Sequence, residues 1–385
     1  EISNLNYLPG QTVPNLVTIA VGTGGQVSAF NRFGSTHVIF DVVGFYADSA
    51  GPSGSRFHAI DPYRYFDTRD GSGGVGVDPV GPDSKLRFKA TGIGGVPGGG
   101  VSGVVMNVTI TQPTQPSYLT VYPGDVSVPP TASNLNYLPG MTVPNLVTVR
   151  VPANGIIDFY NRFGTVHVIA DVVGYYDDDK TTDAGRFVGL TPSRIFDSRV
   201  DFTDPFFEDS GTTLAIAGFD GVPLAGAGAA VFNVTATQTT APGYVTVFPD
   251  DLCDVPLASN LNFGPGQTVP NLVMVRIASP GGCADPDFPG GIYLYNRFGF
   301  THLIVDLFGY FTDGSSYDEY VTITDDTGTI SIDVPIEWND IYSAPAGDPP
   351  EPSLVASTDI GIFLDGWDVP AVWARVSETA AATYP

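Results

Sequence analysis

Short runs of β-branched and aromatic residues recur along most of the chain, and turn-forming residues separate them. Gly103–Thr111, Tyr118–Tyr122, Asn145–Val151, Ile156–Tyr160 and His167–Tyr176 are runs of this kind, each followed by Gly, Pro, Asn or Asp. No comparable stretch shows a sustained helical period of 3.6 residues. About eight short strands in every 130 residues predict an all-β protein of tandem β-sandwiches, of jelly-roll or Ig-like type, with a barrel as the second choice.

The same signals return at a nearly constant period. Ser3-Asn-Leu-Asn-Tyr7 recurs as Ser133 to Tyr137 and as Ser259 to Phe263. In all three copies Thr-Val-Pro-Asn-Leu-Val, Asn-Arg-Phe-Gly and a closing strand with His and Asp follow in that order. Periods of 130 and 126 residues are too long for a solenoid, so they indicate whole domains in tandem.

A second set of signals, which we call the front half of the repeat, occurs only twice. It comprises Arg64-Tyr-Phe-Asp-Thr-Arg69 with Asn107-Val-Thr109, and Arg194-Ile-Phe-Asp-Ser-Arg199 with Asn233-Val-Thr235. The chain therefore divides into a back half alone (1–50), two complete repeats (55–180 and 186–315) and a segment of different character (318–385).

Composition and charge narrow the setting. The chain has 41 acidic and 16 basic residues, a net charge of −25, with 46 Gly and 33 Pro among its 385 residues. These values exclude a helical bundle and a basic nucleic-acid binder. No apolar run approaches the length needed to span a membrane. The chain opens without Met or a signal peptide, so we expect a mature or trimmed product. An acidic, Lys-poor chain fits an extracellular or cell-surface protein, with an acidic cytosolic protein as the alternative.

These motifs resemble a known kind of module. The Pro-x-Arg-x-x-Asp-Thr/Ser-Arg opening, the Asn-Val-Thr strand, Ser-Asn-Leu-Asn, Gly-Gln-Thr-Val-Pro-Asn-Leu-Val and the Asp-Val-Val-Gly-Tyr-Tyr strand are similar to tandem β-sandwich repeats of secreted bacterial surface proteins, which are often appended to exported enzymes. The resemblance covers roughly residues 3–311. It implies extracellular display without catalysis by the module itself, and it supplies no ligand.

The recurrent charges predict a structural polar core. An Asp inside an apolar strand needs a partner, and arginine suits buried carboxylates. The expected members are Asp41, Asp171, Asp306, Arg32, Arg64, Arg69, Arg162, Arg194, Arg199 and Arg297. A Ser-His-Asp site built on His37, Asp41 and Ser35 is the rival interpretation. It is disfavoured because Ser35 becomes Thr165 and Phe300 in the other copies.

The Ser-Asn-Leu-Asn motif is a candidate for binding or assembly. Its two Asn side chains share a strand face, where they could contact sugar or, as we favour, hold a neighbouring loop. In residues 1–50 the candidate assembly segment is Ser3, Asn4, Asn6 and Tyr7. The back half could belong with a front half in a larger precursor, complete a fold with another chain by strand addition, or form a smaller sheet on the next repeat.

Two further features concern loops. Cys253 and Cys283 occur only in the third copy, in two loops, and predict a disulfide, which in turn favours an oxidising compartment. Asp177–Asp179, Asp201–Asp209 and Asp250–Asp254 are acidic clusters without the spacing of a helical calcium loop, so a structural calcium is possible and a solvated loop is the favoured alternative. No other cofactor is expected.

The last segment differs in composition, since all three Trp fall after residue 337. Asp325–Trp338 resembles the start of a small α+β module of exported bacterial proteins, and Phe363–Trp367 could begin or end a helix. The leading hypothesis for the whole chain is a non-enzymatic, self-associating surface layer, fibre or adhesive stalk. The alternative is a carbohydrate- or cell-wall-binding region that serves an exported enzyme.

Overall fold

A computed structural model describes residues 2–47, 54–178, 181, 184–202, 204–285, 288, 290–315, 320–335, 340–343, 352–357 and 371–375. The protein is nearly all β, as the sequence predicts. Residues 1–314 form one compact unit and residues 315–385 a second one.

The first repeat is a sandwich of two antiparallel four-stranded sheets. Its strands are β1 (Arg56–Asp67), β2 (Ser84–Lys89), β3 (Val101–Thr111), β4 (Ser117–Pro123), β5 (Leu135–Tyr137), β6 (Val143–Arg150), β7 (Ile156–Asn161) and β8 (His167–Asp177). One sheet has the order β1-β8-β3-β6 and the other the order β2-β7-β4-β5.

The second repeat has the same topology. Its strands are β9 (Phe187–Asp197), β10 (Ser210–Ala215), β11 (Ala227–Thr237), β12 (Gly243–Pro249), β13 (Leu261–Phe263), β14 (Val269–Arg276), β15 (Gly291–Asn296) and β16 (His302–Thr312). The sheets are β9-β16-β11-β14 and β10-β15-β12-β13. A single helical turn, α1 (Ser198–Asp201), follows β9 and is capped by the carboxylate of Asp197.

This strand order resolves the sandwich type. Eight strands that alternate between two four-stranded sheets, with the first and last strands adjacent, form a jelly roll rather than an Ig-like sandwich or a closed barrel. Strand alternation then places Val104, Met106 and Val108 in the core between the sheets, while Val105 faces the other way. Since both faces of the central strand β3 are buried, this strand is almost continuously apolar.

Residues 2–47 do not form the strands that their pattern predicts. Among them the structure has only an isolated bridge between Gly22 and Gln26. The topology explains this result, because in a complete repeat β5, β6, β7 and β8 pair with front-half strands and never with one another. A back half alone therefore has no internal strand partners, and the smaller sheet considered for it does not form.

The second unit was expected to mix helix and strand, but the part of it that the structure describes is strand. A hairpin joins β17 (Tyr320–Thr324) to β18 (Ser331–Pro335), and a three-stranded sheet contains β19 (Asp340–Ser343), β20 (Ser353–Ser357) and β21 (Ala371–Arg375). The hairpin turn is closed by the carboxylate of Asp325, which accepts hydrogen bonds from the amides of Thr329 and Ile330. The proposed helix at 363–367 lies outside the described residues.

Candidate assembly interface

Residues 2–47 and the two jelly rolls meet at a shared apolar cluster, which we call the axial cluster. Leu16, Leu146 and Leu272 occupy the same position of the Pro-Asn-Leu motif in the three copies, and all three pack there. The other buried members come from the outer faces of the β1-β8-β3-β6 and β9-β16-β11-β14 sheets: Phe57, Val105, Val173, Ala229, Val231, Met274, Phe308 and Phe311. Equivalent residues from three copies thus surround one approximate three-fold axis.

Three equivalent asparagines close a ring of hydrogen bonds around this cluster. The side-chain Oδ1 of Asn145 accepts from the amide of Leu16 at 3.1 Å. Asn271 accepts from the amide of Leu146, and Asn15 accepts from the amide of Leu272, each at 3.0 Å. Each copy therefore binds the next, and the third returns to the first. We call these three residues the asparagine ring.

The ring satisfies strand edges that would otherwise be open. β6 and β14 are the last strands of their sheets, so half of their backbone groups have no ladder partner. The amides of Leu146 and Leu272 lie on those edges and donate to a side chain of another copy. A buried amide without a partner costs about 1–3 kcal/mol, so the ring both stabilises the edges and fixes the register between copies.

The front-half asparagines join the same network. Asn233 donates to the carbonyl of Ser3 at 2.8 Å and accepts from Asn15 at 3.0 Å. Asn107 donates to the carbonyl of Ser259 and accepts from Asn271 at 2.8 Å. Both asparagines are essentially buried. Through them, the front half of each complete repeat is hydrogen-bonded to the back half of a different copy.

The closing strands add aromatic contacts at the same axis. Tyr46, Tyr176 and Phe311 are equivalent positions, and the hydroxyls of Tyr46 and Tyr176 are 2.7 Å apart. The ring of Tyr46 stacks on Phe187 at a centroid distance of 4.6 Å, and that of Phe311 lies 4.4 Å from Phe57. Residues 2–47 are thereby held at both ends without belonging to a sheet.

The predicted polar core is present in both complete repeats. Arg64 forms a two-point ion pair with the buried Asp171, and Arg194 does the same with the buried Asp306, with its Nε 2.8 Å from Oδ1. Asp67 and Asp197 are also buried, and they accept from Arg69 and Arg199, whose guanidinium groups lie at the surface. The Arg64–Asp171 and Arg194–Asp306 pairs tie the first strand of each jelly roll to the last.

Burial changes the titration of two of these acids. It raises the pKa of Asp171 to about 6, although Arg64 and the backbone amide of Ser259 oppose the shift. It also raises the pKa of Asp306, against the opposing effect of Arg194. By contrast, the hydrogen bond from Arg199 holds the pKa of Asp197 below its ordinary value despite partial burial.

The raised pKa of Asp171 predicts that stability falls as pH rises from about 4 to about 6. Over this range the folded chain binds more protons at Asp171 than the unfolded chain, where aspartate titrates near 3.8. A difference of about two pKa units corresponds to about 3 kcal/mol at this one group. Urea unfolding of the whole chain and of Asp171→Asn at pH 4 and pH 7 measures it. The substitution should reduce the pH-dependent difference, and an unchanged difference would show that Asp171 does not titrate in this range.

Three of the arginines predicted for the polar core lie elsewhere. Arg162 and Arg297 are at the surface, where they pair with Asp83 and Asp209 and lie over the rings of Phe163 and Phe298. Arg32 likewise lies over Phe33. The Asn-Arg-Phe-Gly motif follows β7 or β15 as a turn, so its Arg leaves the sandwich.

Asp41 is exposed instead of paired in the core. Its counterparts Asp171 and Asp306 take their arginine from the first strand of their own front half, and residues 2–47 contain no such strand. The prediction for Asp41 was therefore wrong for a topological reason.

The histidines of the closing strands have structural partners. Nδ1 of His302 is 2.9 Å from the hydroxyl of Ser198, and Nδ1 of His167 is 3.0 Å from that of Thr68. Those hydroxyls also accept the amides of Leu303 and Val168. Ser198 and Thr68 are buried, so each fastens the end of the first strand to the start of the last.

The Ser-Asn-Leu-Asn motif ties strands together. In the complete repeats Oδ1 of Asn134 accepts from the amide of Val121, and Oδ1 of Asn260 accepts from that of Val247, both at 2.7 Å. In residues 2–47, Ser3 bonds to Asn6 through its hydroxyl and Tyr7 bonds to Asn31. Nδ2 of Asn4 is buried and has no hydrogen-bond partner.

The loop features also have defined contacts. Cys253 and Cys283 form a disulfide with a Cα–Cα distance of 5.1 Å. In the acidic clusters, Asp209 pairs with Arg297, Asp251 pairs with Arg276, and Asp250 accepts from Thr213. No group of three metal-ligating side chains occurs among the described residues.

Loss of the disulfide is expected to cost about 3 kcal/mol. The bond closes a loop of 30 residues between two segments of the second repeat, and the chain-entropy estimate for such a loop has this size. Chemical unfolding of Cys253→Ser/Cys283→Ser under oxidising conditions should show the loss. The wild-type chain with reductant is the matched comparison, and equal midpoints for oxidised and reduced wild type would contradict the expectation.

Several buried carboxylates were missed by sequence reasoning, among them Asp67 and Asp197 at the ends of β1 and β9, and Asp158. Asp158 on β7 is fully buried and pairs with Lys85 and Arg87 on β2. Burial opposes its ionisation, but these two bases hold its pKa below the ordinary value. In the second repeat the position of Asp158 is Tyr293, and the two bases are absent from the corresponding strand. The simultaneous replacement of the acid and both bases in the second repeat was the sequence signal that could have revealed this ion pair.

Comparisons with known proteins identify no family. No family model matches the chain, and no curated protein matches it. Among solved structures, a chain from the atomic structure of Sulfolobus Turreted Icosahedral Virus is 11% identical to this chain, with a TM-score of 0.15. The match covers 62% of this chain and 60% of that chain. The N-terminal CBM22-1–CBM22-2 tandem domain of Paenibacillus barcinonensis Xyn10C is 8% identical, with a TM-score of 0.17. The match covers 56% of this chain and 79% of that chain. Within the described residues no helix is long and apolar enough to cross a membrane.

Proposed function

We propose that this chain is a non-enzymatic, secreted structural protein that forms a surface layer, fibre or adhesive stalk from tandem jelly rolls. The observation that carries the proposal is the asparagine ring, in which each copy of the repeat binds the next. These contacts close into a ring within one chain, so they support a repeat that binds copies of itself, and association between chains requires a surface outside the ring.

The environment of the polar side chains supports a structural role. The buried acids Asp171, Asp306 and Asp158 are each paired with arginine or lysine. The hydroxyls nearest to histidine, those of Thr68 and Ser198, are buried and hold strands together. These groups stabilise the jelly rolls instead of facing a cleft.

The disulfide and the charge support an extracellular setting. Disulfides persist in oxidising compartments, and a net charge of −25 keeps separate molecules soluble until a specific interface forms.

Electron microscopy of the purified chain tests the proposal. Over a range of salt and calcium concentrations, ordered filaments or sheets are expected. Monodisperse monomers under every condition, confirmed by analytical ultracentrifugation, would contradict it.

A groove on the first repeat favours carbohydrate binding as a second candidate function. Tyr118, Tyr122 and Tyr160 line a cavity of about 440 Å³ together with Asp83 and Arg162. The hydroxyl of Tyr122 is buried without a partner. Tyr122 and Tyr160 are buried, and Tyr118 is partly exposed. An accessible aromatic ring beside polar groups suits a sugar ring, which has apolar faces and hydroxyl edges. Saturable binding on a glycan array that Tyr118→Ala abolishes would support this function, and an array without binding would dismiss it.

A further inference from the structure

We propose that residues 2–47 are a docking site for a segment with the front-half pattern, which completes a third jelly roll. Such a segment has four strands, with Arg-x-x-Asp-Thr/Ser-Arg in the first strand and Asn-x-Thr in the third. The inference rests on the proposed function, since it names the element through which this copy of the repeat associates with its own kind.

Exposed apolar residues show where the partner lies. Val38, Phe40 and Val42 are between 53% and 89% exposed, whereas their counterparts Val168, Ala170 and Val172 are fully buried in the first repeat. In the second repeat the same positions are also buried. Each such side chain gains about 1.5–3 kcal/mol on burial. Ile39 and Val43, on the opposite face of this segment, are also exposed, at 83% and 53%. The segment contacts the axial cluster through Tyr46, whose ring lies against Phe187 and Phe311.

Polar groups of the segment lack the contacts that a front half provides. Nδ2 of Asn4 is buried without a partner. Its counterparts Asn134 and Asn260 use their side chains to hold the amides of strands β4 and β12. Asp41 is exposed, whereas its counterparts pair with an arginine of β1 or β9. In a front half, the first strand would supply an arginine to Asp41, and the fourth strand would supply an amide that donates to Oδ1 of Asn4. Nδ2 of Asn4 would need a separate acceptor.

The first jelly roll has a matching gap. Nδ2 of Asn15 has two acceptors, and so does Nδ2 of Asn271, the second in each case being a front-half asparagine. Nδ2 of Asn145 has a single acceptor in the described structure, the carbonyl of Asn134, although Asn145 is 95% buried. The asparagine in the third strand of the partner would take that place and close the network.

Two hydrogen bonds within residues 2–47 match those of a complete repeat. Nδ2 of Asn15 lies 2.7 Å from the carbonyl of Asn4, matching 2.7 Å between Asn145 and Asn134. Asn31 donates to the carbonyl of Gly34 at 2.9 Å, as its counterpart in the first repeat does to Gly164 at 2.8 Å. Such preorganisation lowers the entropy cost of binding.

The topology selects a front half over a second copy of this chain. Back-half strands never pair with each other, so two copies of residues 2–47 cannot complete one another. The front halves at 54–130 and 184–256 are already paired within their own jelly rolls. The occupant is therefore a front half that is not already paired within a jelly roll.

The test is a fusion in which a second copy of residues 54–130 is placed directly before residue 1 of the full chain. This junction reproduces the native spacing, because Ser3 is the third residue after the fusion point, as Ser133 is the third residue after residue 130. Hydrogen exchange is measured residue by residue. Amides at 37–43 are expected to exchange at least ~100-fold more slowly than in the parent chain, because they enter ladders. Unchanged protection of β3 and β11 shows that the jelly rolls remain folded.

A charge variant makes the result specific. Asp41→Asn should leave the unfolding midpoint of the parent chain unchanged and should lower that of the fusion, where the added copy of Arg64 faces Asp41. A fusion whose added segment carries Arg64→Ala is the matched control, and there Asp41→Asn should have little further effect.

Two outcomes would overturn the proposal. One is equal exchange at 37–43 in the fusion and the parent. The other is concentration-dependent protection of these amides in the parent, which would assign the site to a second copy. Both outcomes are read from amide exchange at residues 37–43, and the second also from its dependence on protein concentration. Absence of filaments in the electron microscope would contradict the proposed function and leave this inference standing.

Discussion

Replacement of Asn271 by alanine is expected to lower the free energy of unfolding by about 4 kcal/mol or more. Asn271 is buried and makes three hydrogen bonds, to the amide of Leu146, the side chain of Asn107 and the carbonyl of Asn260. Its loss leaves these three groups buried without partners, at about 1–3 kcal/mol each. Urea unfolding followed by circular dichroism measures the change.

Asn136→Ala is the matched control for this substitution. Its side chain is only partly buried and bonds to the hydroxyl of Ser133, so a loss of under about 1 kcal/mol is expected. Equal effects of the two substitutions would show that the asparagine ring does not hold the copies together.

Arg194→Met is expected to cost about 3–5 kcal/mol at neutral pH. It removes both guanidinium contacts from Asp306, which is 1% exposed, and leaves a buried carboxylate unpaired. Because burial already raises the pKa of Asp306, this acid can take up a proton in the variant. The loss should therefore be smaller at pH 5 than at pH 8.

Arg297→Met provides the comparison for Arg194 within the same repeat. Arg297 pairs with the exposed Asp209, and surface ion pairs contribute about 0–1 kcal/mol. If the two arginine variants were equally stable, or if the effect of Arg194→Met were the same at both pH values, the buried pair would not have the role assigned to it.

The sequence was sufficient for the sandwich and for its repeat. Alternation and turn residues identified β3, β4, β6, β7 and β8, and the three copies of Ser-Asn-Leu-Asn set the period. Pairings across the sandwich could also be anticipated, because Asp171 and Asp306 lie in apolar strands and arginine is the suitable partner. Such inferences depend only on the local pattern and on the cost of burying a charge.

The contacts between copies could not be predicted from the residue pattern. Asn15, Asn145 and Asn271 recur with the Pro-Asn-Leu motif, but nothing local shows that their side chains reach another copy. The fate of residues 2–47 also required the strand order, since a back half has strand character in its sequence and no partner in its topology. The surface position of Arg162 and Arg297 depended on a turn whose direction the sequence did not specify.

Amide exchange at Leu16 tests the three-copy arrangement. Leu16 belongs to no ladder, and the acceptor for its amide is Asn145 of the first jelly roll. If the copies surround one axis, the amides of Leu16, Leu146 and Leu272 should all exchange slowly, and Asn145→Ala should release that of Leu16 while β3 stays protected. Exchange of Leu16 at the rate of an unstructured peptide in the wild-type chain would contradict the arrangement.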